Sequence, residues 1–174
     1  MSCIYKIRIK VEVRIHPEVR IGHIHLIVAD LERSLKFYRS LLGFEITSNF
    51  GDKAVFLSAG GYHHHIALNT WAGENAMPPP AGHTGLYHFA ILYPNRAELS
   101  RIVKRLFEVN YKVEGASDNG VSESVYLLDP DGNGVELYAD RTPDLWPVDE
   151  NGHLVMNTKP LNLIDLLSEM DHDY

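Results

Sequence analysis

Six of the chain's ten histidines are gathered at His23, His25, His63, His64, His65 and His88. His23 and His25 stand two apart in an apolar run, so on a strand they share one face. Near the other end, Gly-Val-Glu136-Leu-Tyr sets a lone carboxylate in an otherwise apolar strand. A buried carboxylate without a partner is costly, so Glu136 calls for a counter-charge or a metal ion. Two histidines and one carboxylate drawn from three strands make the open-sided site used by non-haem Fe(II) oxygenases, and the same donors suit Mn(II), Zn(II) and Ni(II). A single histidine on a buried strand is more often a hydrogen-bonded core residue. What favours a metal here is that His23 and His88 recur at equivalent places in a repeat and that an inward carboxylate accompanies them.

The elements that must carry these residues follow from hydrophobic spacing. Gly22 to Ala29 reads as a largely buried strand, and Asp30 as the N-cap of a helix. One face of that helix is marked by Leu31, Leu35, Tyr38, Leu41 and Leu42, and Gly43 is placed to end it in a left-handed turn. Strand-like runs follow at 45–49, 54–58 and 63–69, separated by Gly51-Asp52 and Gly60-Gly61. The same order then returns. A strand at 87–93 leads to Asn95 as a second N-cap and to a helix face of Leu99, Ile102, Val103 and Leu106. Strands are expected next at 112–114, 124–128 and 135–138, the last two joined by the turn Asp129-Pro-Asp-Gly-Asn-Gly134. His23 to His88 and Asp30 to Asn95 are both 65 residues, and Val55-Phe-Leu matches Val125-Tyr-Leu at an offset of 70. Two copies of a βαβββ unit account for this register.

The division expected from these signals is a basic N-terminal extension at 1–20, modules at 21–70 and 85–140, a connecting loop at 71–84 and a C-terminal tail at 141–174 that ends in a short helix. The alternation Lys6-Ile-Arg-Ile-Lys-Val-Glu-Val-Arg-Ile15 predicts a strand within the extension. The connecting loop holds Gly73, Pro78, Pro79, Pro80 and Gly82 and reads as a surface loop or a pocket wall.

With 174 residues, 45% of them apolar and 22% charged, the chain has the make-up of a globular protein. No apolar run approaches the roughly 18 residues that a membrane helix needs. The first residues lack the apolar block of a secretory signal. A single cysteine, Cys3, forbids an internal disulfide and a cysteine-rich zinc site, so a cytoplasmic location is expected. The net charge of −7 is uneven, because residues 1–20 carry a local +3. The remainder is too acidic to grasp a phosphate backbone, and neither nucleic acid nor a membrane is expected as a partner. The Asp129–Asp140 stretch has some of the residues of a calcium loop, yet its flanks are strands and its twelfth position is Asp, so a hairpin turn is the better reading.

The residues from Gly22-His-Ile-His-Leu through Lys-Phe-Tyr-Arg-Ser-Leu-Leu-Gly-Phe44 resemble the opening module of the vicinal oxygen chelate superfamily. That superfamily includes glyoxalase I, bleomycin-resistance proteins and extradiol catechol dioxygenases. Asp129-Pro-Asp-Gly-Asn-Gly-Val-Glu-Leu-Tyr138 resembles its closing strand. Ser58-Ala-Gly-Gly-Tyr-His-His-His-Ile-Ala-Leu-Asn-Thr-Trp-Ala-Gly73 and the tail Asp140-Arg-Thr-Pro-Asp-Leu-Trp-Pro147 are similar to the catechol 2,3-dioxygenase-like branch. The resemblance covers about residues 16–170. It implies an α+β fold in which two βαβββ modules form an open, cup-shaped mixed sheet around one metal.

Carried over by position, the resemblance implies His23, His88 and Glu136 as ligands of a divalent metal, Fe(II) foremost and Mn(II), Zn(II) or Ni(II) otherwise. Glyoxalase I places a fourth ligand at the position occupied here by Ala67, which cannot ligate. This favours a three-ligand site whose open positions suit a chelating catecholate and O₂. The implied activity is therefore extradiol-type ring cleavage of a small aromatic diol by a homodimer; a glyoxalase-like isomerase or lyase and a non-catalytic binding protein are the rival readings. Tyr126, ten residues before Glu136, falls where the dioxygenases carry a tyrosine near the metal. The family's acid–base histidine maps into the triple histidine. Strand parity with Ala67 selects His65, points His64 away and leaves His63 nearer the pocket mouth. The branch commonly carries a histidine in the loop where this chain has Asn119, which donates a hydrogen bond but takes up no proton.

Overall fold

The computed structural model describes residues 14–80 and 82–169, so nearly all of the strand expected over 6–15 lies outside the described residues. Two βαβββ modules follow one another. In the first, β1 (Ile24–Ile27) leads into α1 (Leu31–Leu35), which continues as π-helical turns over Lys36–Leu41; β2 (Glu45–Phe50), β3 (Ala54–Ser58) and β4 (Ile66–Asn69) follow. The second comprises β5 (Phe89–Tyr93), α2 (Arg96–Glu108), β6 (Gly115–Asp118), β7 (Ser122–Leu128) and β8 (Gly134–Asp140). The tail adds a 3₁₀ turn at Pro143–Leu145, the two-residue strand β9 (Lys159–Pro160) and α3 (Leu163–Ser168). Among the described residues no helix is long and apolar enough to cross a membrane.

The two expected N-caps form. The carboxylate of Asp30 accepts from the Arg33 amide at 2.9 Å, and the side-chain oxygen of Asn95 accepts from the Glu98 amide at 2.9 Å. Gly43 adopts φ +90°, a left-handed conformation that only glycine takes up without strain, and so turns the chain from the first helix into β2. One expectation is corrected. The strand placed at 112–114 lies at Gly115–Asp118, because the chain turns at Asn110 (φ +54°) and runs irregularly over 111–114 before the ladder with β7 starts at Gly115 opposite Tyr126.

The first sheet has the order β1-β4-β3-β2 and the second β5-β8-β7-β6-β9. In both modules the strand before the helix pairs in parallel with the last strand, His25 beside Ala67 and Ala90 beside Glu136. Each sheet buries one face against its own helix. Val55, Leu57 and Leu68 lie with Phe37, Tyr38 and Leu41, and Val125, Leu127, Val135 and Leu137 lie with Leu99, Val103 and Leu106, in one continuous core. The opposite faces stay accessible, as the half-exposed Ile27 and Leu92 show.

Polar bonds join the modules where the Asp129–Gly134 turn meets α1. The fully buried Tyr38 donates from its hydroxyl to Asp129 at 2.7 Å. Asp129 also accepts from the backbone amides of Asp131 and Asn133 and from the Asn133 side chain. Asp131 accepts from the Ala29 amide at 3.1 Å and pairs with Arg33. Farther along, Arg105 donates to the Ser40 carbonyl at 2.6 Å, and Phe37 packs on Tyr111.

Candidate functional site

The parallel pairing of β5 with β8 sets His88 beside Gly134, one residue ahead of the Phe89–Val135 pair. A Cβ on Gly134 would lie 2.3 Å from the Tyr87 carbonyl oxygen and 3.0 Å from His88 Cβ, so the close approach of these strands requires glycine. His88 Nε2 then reaches Glu136 Oε2 at 2.9 Å. The Glu136 side chain is only 12% exposed, so this imidazole supplies the partner that its burial demands. Tyr126 faces Glu136 directly across the β7–β8 ladder, and its ring centroid lies 5.8 Å from that of His88. The Tyr126 hydroxyl is 3.1 Å from Ser117 Oγ and accepts from the Asn119 amide at 3.4 Å.

On the first module, His23 sits just before β1, where the Ile24 amide bonds to the His65 carbonyl. Its ring centroid is 4.4 Å from that of His64, which also packs on Phe56. Burial, followed by the charges of His23 and His63, pushes the His64 imidazole below its ordinary value. His65 turns elsewhere: its Nδ1 lies 2.9 Å from Ser58 Oγ and 3.4 Å from the Ala59 amide. The placement of His64 against His23 departs from the parity expected for it. β4 begins only at Ile66, and 63–65 form a bend after Gly60 and Gly61, both at positive φ, so strand alternation does not extend back to His64. His25 shares the face of Ala67 but bonds to Asn69 and packs on Trp71, with Phe56 against both its ring and that of His64.

A cavity of about 910 Å³ runs between the edge strands β1 and β5. His23, His65 and His88 line it, together with apolar walls that include Phe44, Leu86, Leu92 and Tyr138. Among the described residues no group of three His, Cys, Asp or Glu side chains is arranged to hold a metal ion. Two of the three expected ligands, His88 and Glu136, do touch; the third, His23, faces the same cavity with its ring against His64. As a donor set, two imidazoles and a carboxylate fit a divalent ion. Ser117 and Ser124, which complete the Tyr126–Asn119 network, escaped the sequence reading because serines on a strand carry no chemical signature until register places them.

The model of the Glyoxalase/Bleomycin resistance protein/Dioxygenase superfamily matches residues 20–137, and the chain belongs to that superfamily. It is 41% identical over 155 residues to catechol-2,3-dioxygenase of Bacillus subtilis (strain 168), covering 89% of this chain and 53% of that protein. The chain thus spans about half the length of that relative. Among solved structures, it is similar to lactoylglutathione lyase from Agrobacterium tumefaciens, with 27% identity, a TM-score of 0.55 and coverage of 71% of this chain and 96% of that one. A glyoxalase/dioxygenase from Nostoc punctiforme shares the fold, with a TM-score of 0.62 at 22% identity over 76% of this chain and 99% of that one.

Proposed function

We propose that the chain is a metal-dependent, extradiol-type ring-cleaving dioxygenase acting on a small aromatic vicinal diol, with Fe(II) as the metal. The observation that carries this reading is the contact of His88 with the mostly buried Glu136 at the edge of a cavity that His23 also lines. The 41% identity to a protein named catechol-2,3-dioxygenase supports it. His23, His88 and Glu136 would hold the ion, which when bound supplies a Lewis-acidic centre for chelation by two neighbouring oxygens.

The chain's own residues divide the remaining work. The apolar walls at Phe44, Leu86 and Leu92 receive an aromatic ring. On this geometry two histidines can take the acid–base role: His65, which lines the cavity with its Nδ1 held by Ser58, and His64, which lies against the ligand His23 with its Nδ1 on His63. Holding the ion requires the His23 ring to turn from His64 toward His88. Tyr126 lies on the other side of the ligands, within 5.8 Å of the His88 ring, where its hydroxyl can move a proton to or from the substrate. The second reading is a glyoxalase-like lyase or isomerase, favoured by the likeness to lactoylglutathione lyase and opposed by Ala67, which offers no fourth ligand.

The test is oxygen uptake by anaerobically purified, Fe(II)-loaded protein with a panel of catechols. His23→Ala, His88→Ala and Glu136→Ala are each expected to lose bound metal by elemental analysis. Tyr126→Phe is expected to keep the metal and to slow uptake by roughly 10²-fold, the usual worth of a positioned acid–base group. Stoichiometric metal in all three ligand variants would overturn the ligand assignment. No uptake with any diol would favour the lyase or isomerase reading.

A further inference from the structure

We infer that the chain after β8, residues 146–160, is a strap that positions the Tyr126 hydroxyl, with Thr158 and Gly120 as its points of purchase; this rests on the role proposed for Tyr126. The strap lies on the turn between β6 and β7. Lys159 and Pro160 pair with Asp118 and Ser117, which covers a strand edge that β6 would otherwise leave open. Gly120, at the tip of the turn, has φ +78°, and a Cβ built there would lie 3.1 Å from Pro147 Cγ and 3.4 Å from Asn157 Nδ2. No other residue lets the strap close so near without strain.

The consequence reaches Tyr126 through Asn119. Thr158 Oγ1 donates to Asn119 Oδ1 at 3.4 Å, and Ser117 Oγ donates to the same oxygen at 3.0 Å. With both donors on Oδ1, the amide is fixed with Nδ2 toward Ser124 Oγ at 3.1 Å and Tyr126 Oη at 3.4 Å. Ser117 has spent its only proton on Asn119, so the 3.1 Å contact between Ser117 and Tyr126 has Tyr126 as donor. The hydroxyl of Tyr126 is thereby oriented, accepting from Asn119 and donating to Ser117. Asn119 cannot shuttle a proton, and the strap makes it a fixed donor.

The strap is itself held at both ends. Trp146 Nε1 donates to the Arg141 carbonyl at 2.8 Å, and Val155 donates to the Pro147 carbonyl at 2.8 Å. Arg141 bonds Asp118 at 2.9 Å and Glu123 at 3.0 Å. Beyond β9, α3 buries Leu166 completely, and Arg96 on α2 ties down Asp165 and Glu169. Thr158 and Gly120 are positioning residues, since their effect passes through Asn119.

The experiment is carbon-13 NMR of the full chain labelled at tyrosine Cζ, the Tyr126 signal being identified by its loss in Tyr126→Phe. Thr158→Val removes the donor while keeping the shape, and the Tyr126 signal is expected to move. Thr158→Ser keeps the hydroxyl and should leave the signal where it stands in the wild type. Gly120→Ala, which pushes on the strap from the other side, should move it as well. With Fe(II) and a catechol, kcat for Thr158→Val should fall about 2- to 10-fold at unchanged KM, the range that one hydrogen bond supplies, and it should fall no further when Tyr126→Phe is already present. A Tyr126 signal unmoved in folded Thr158→Val overturns the strap's role, whatever Gly120→Ala does. A signal that moves in Thr158→Val, in a protein whose wild type shows no oxygen uptake, leaves the strap standing and removes the catalytic reading of Tyr126.

Discussion

The three consecutive histidines show how little residue type says about role at the finest scale. His63, His64 and His65 share one chemistry, yet His63 and His64 bring their Nδ1 atoms to 2.7 Å, His64 packs on His23, and His65 is held by Ser58. If acid–base work falls to the histidine against the ligand, His64→Gln should retain metal and slow oxygen uptake by roughly 10²-fold. His65→Gln, which removes the Ser58 contact, should change the rate far less. Both rates are read in the same oxygen-electrode assay, and the reverse order would give the role to His65.

At the scale of elements, β5 and β8 must run close enough for His88 to reach Glu136, and Gly134 is what permits it. Gly134→Ala would place a methyl against the Tyr87 carbonyl, a backbone atom with little room to yield. We expect a loss of about 1–3 kcal/mol in stability, the usual cost of overpacking, together with weaker metal retention as His88 is displaced. Gly85→Ala, where a Cβ would meet nothing within 4 Å, is the matched control and should leave both unchanged. Urea unfolding and metal analysis on the two variants decide the point; equal behaviour would show that the strands adjust at no cost.

Across the whole molecule, the modules are fastened by a buried phenol on a buried carboxylate. Tyr38→Phe takes one donor from Asp129 and leaves three, so the variant should fold with a stability lower by about 1–3 kcal/mol. The same fastening makes the protein sensitive to alkali. Burial and then Asp129 raise the Tyr38 phenol above its ordinary value, burial and then the Glu98 charge push Tyr93 up to about 12, and burial and then Asp129 push Tyr111 up to about 12. A tyrosine in the unfolded chain titrates near 10. As the pH rises past that value the unfolded chain loses its protons first, so this stability is complete below about pH 10 and drains away through about pH 12. The urea midpoint should therefore drop between about pH 10 and pH 12, and drop less in Tyr38→Phe. A midpoint that is flat over that interval would show that these phenols titrate as they do in the unfolded chain.

The sequence by itself determined the repeat, the capped helices and the order of strands, because each of these depends on near neighbours. Asp30 and Asn95 bond to amides three residues on, Gly43 needs only its own backbone freedom, and the apolar spacing of Leu99, Val103 and Leu106 is a property of a helix whatever it packs on. It also marked Glu136 as a carboxylate in need of a partner. Only the tertiary structure decided which partner: His88 reaches it because two strands 45 residues apart run in parallel with a glycine between them. The direction of His64 was likewise out of reach, since alternation holds only inside a paired strand and β4 starts two residues too late. Thr158 is the extreme case. An exposed threonine 39 residues from Asn119 acquires a partner only when the tail folds back, and no local pattern encodes a contact that depends on the whole chain's path.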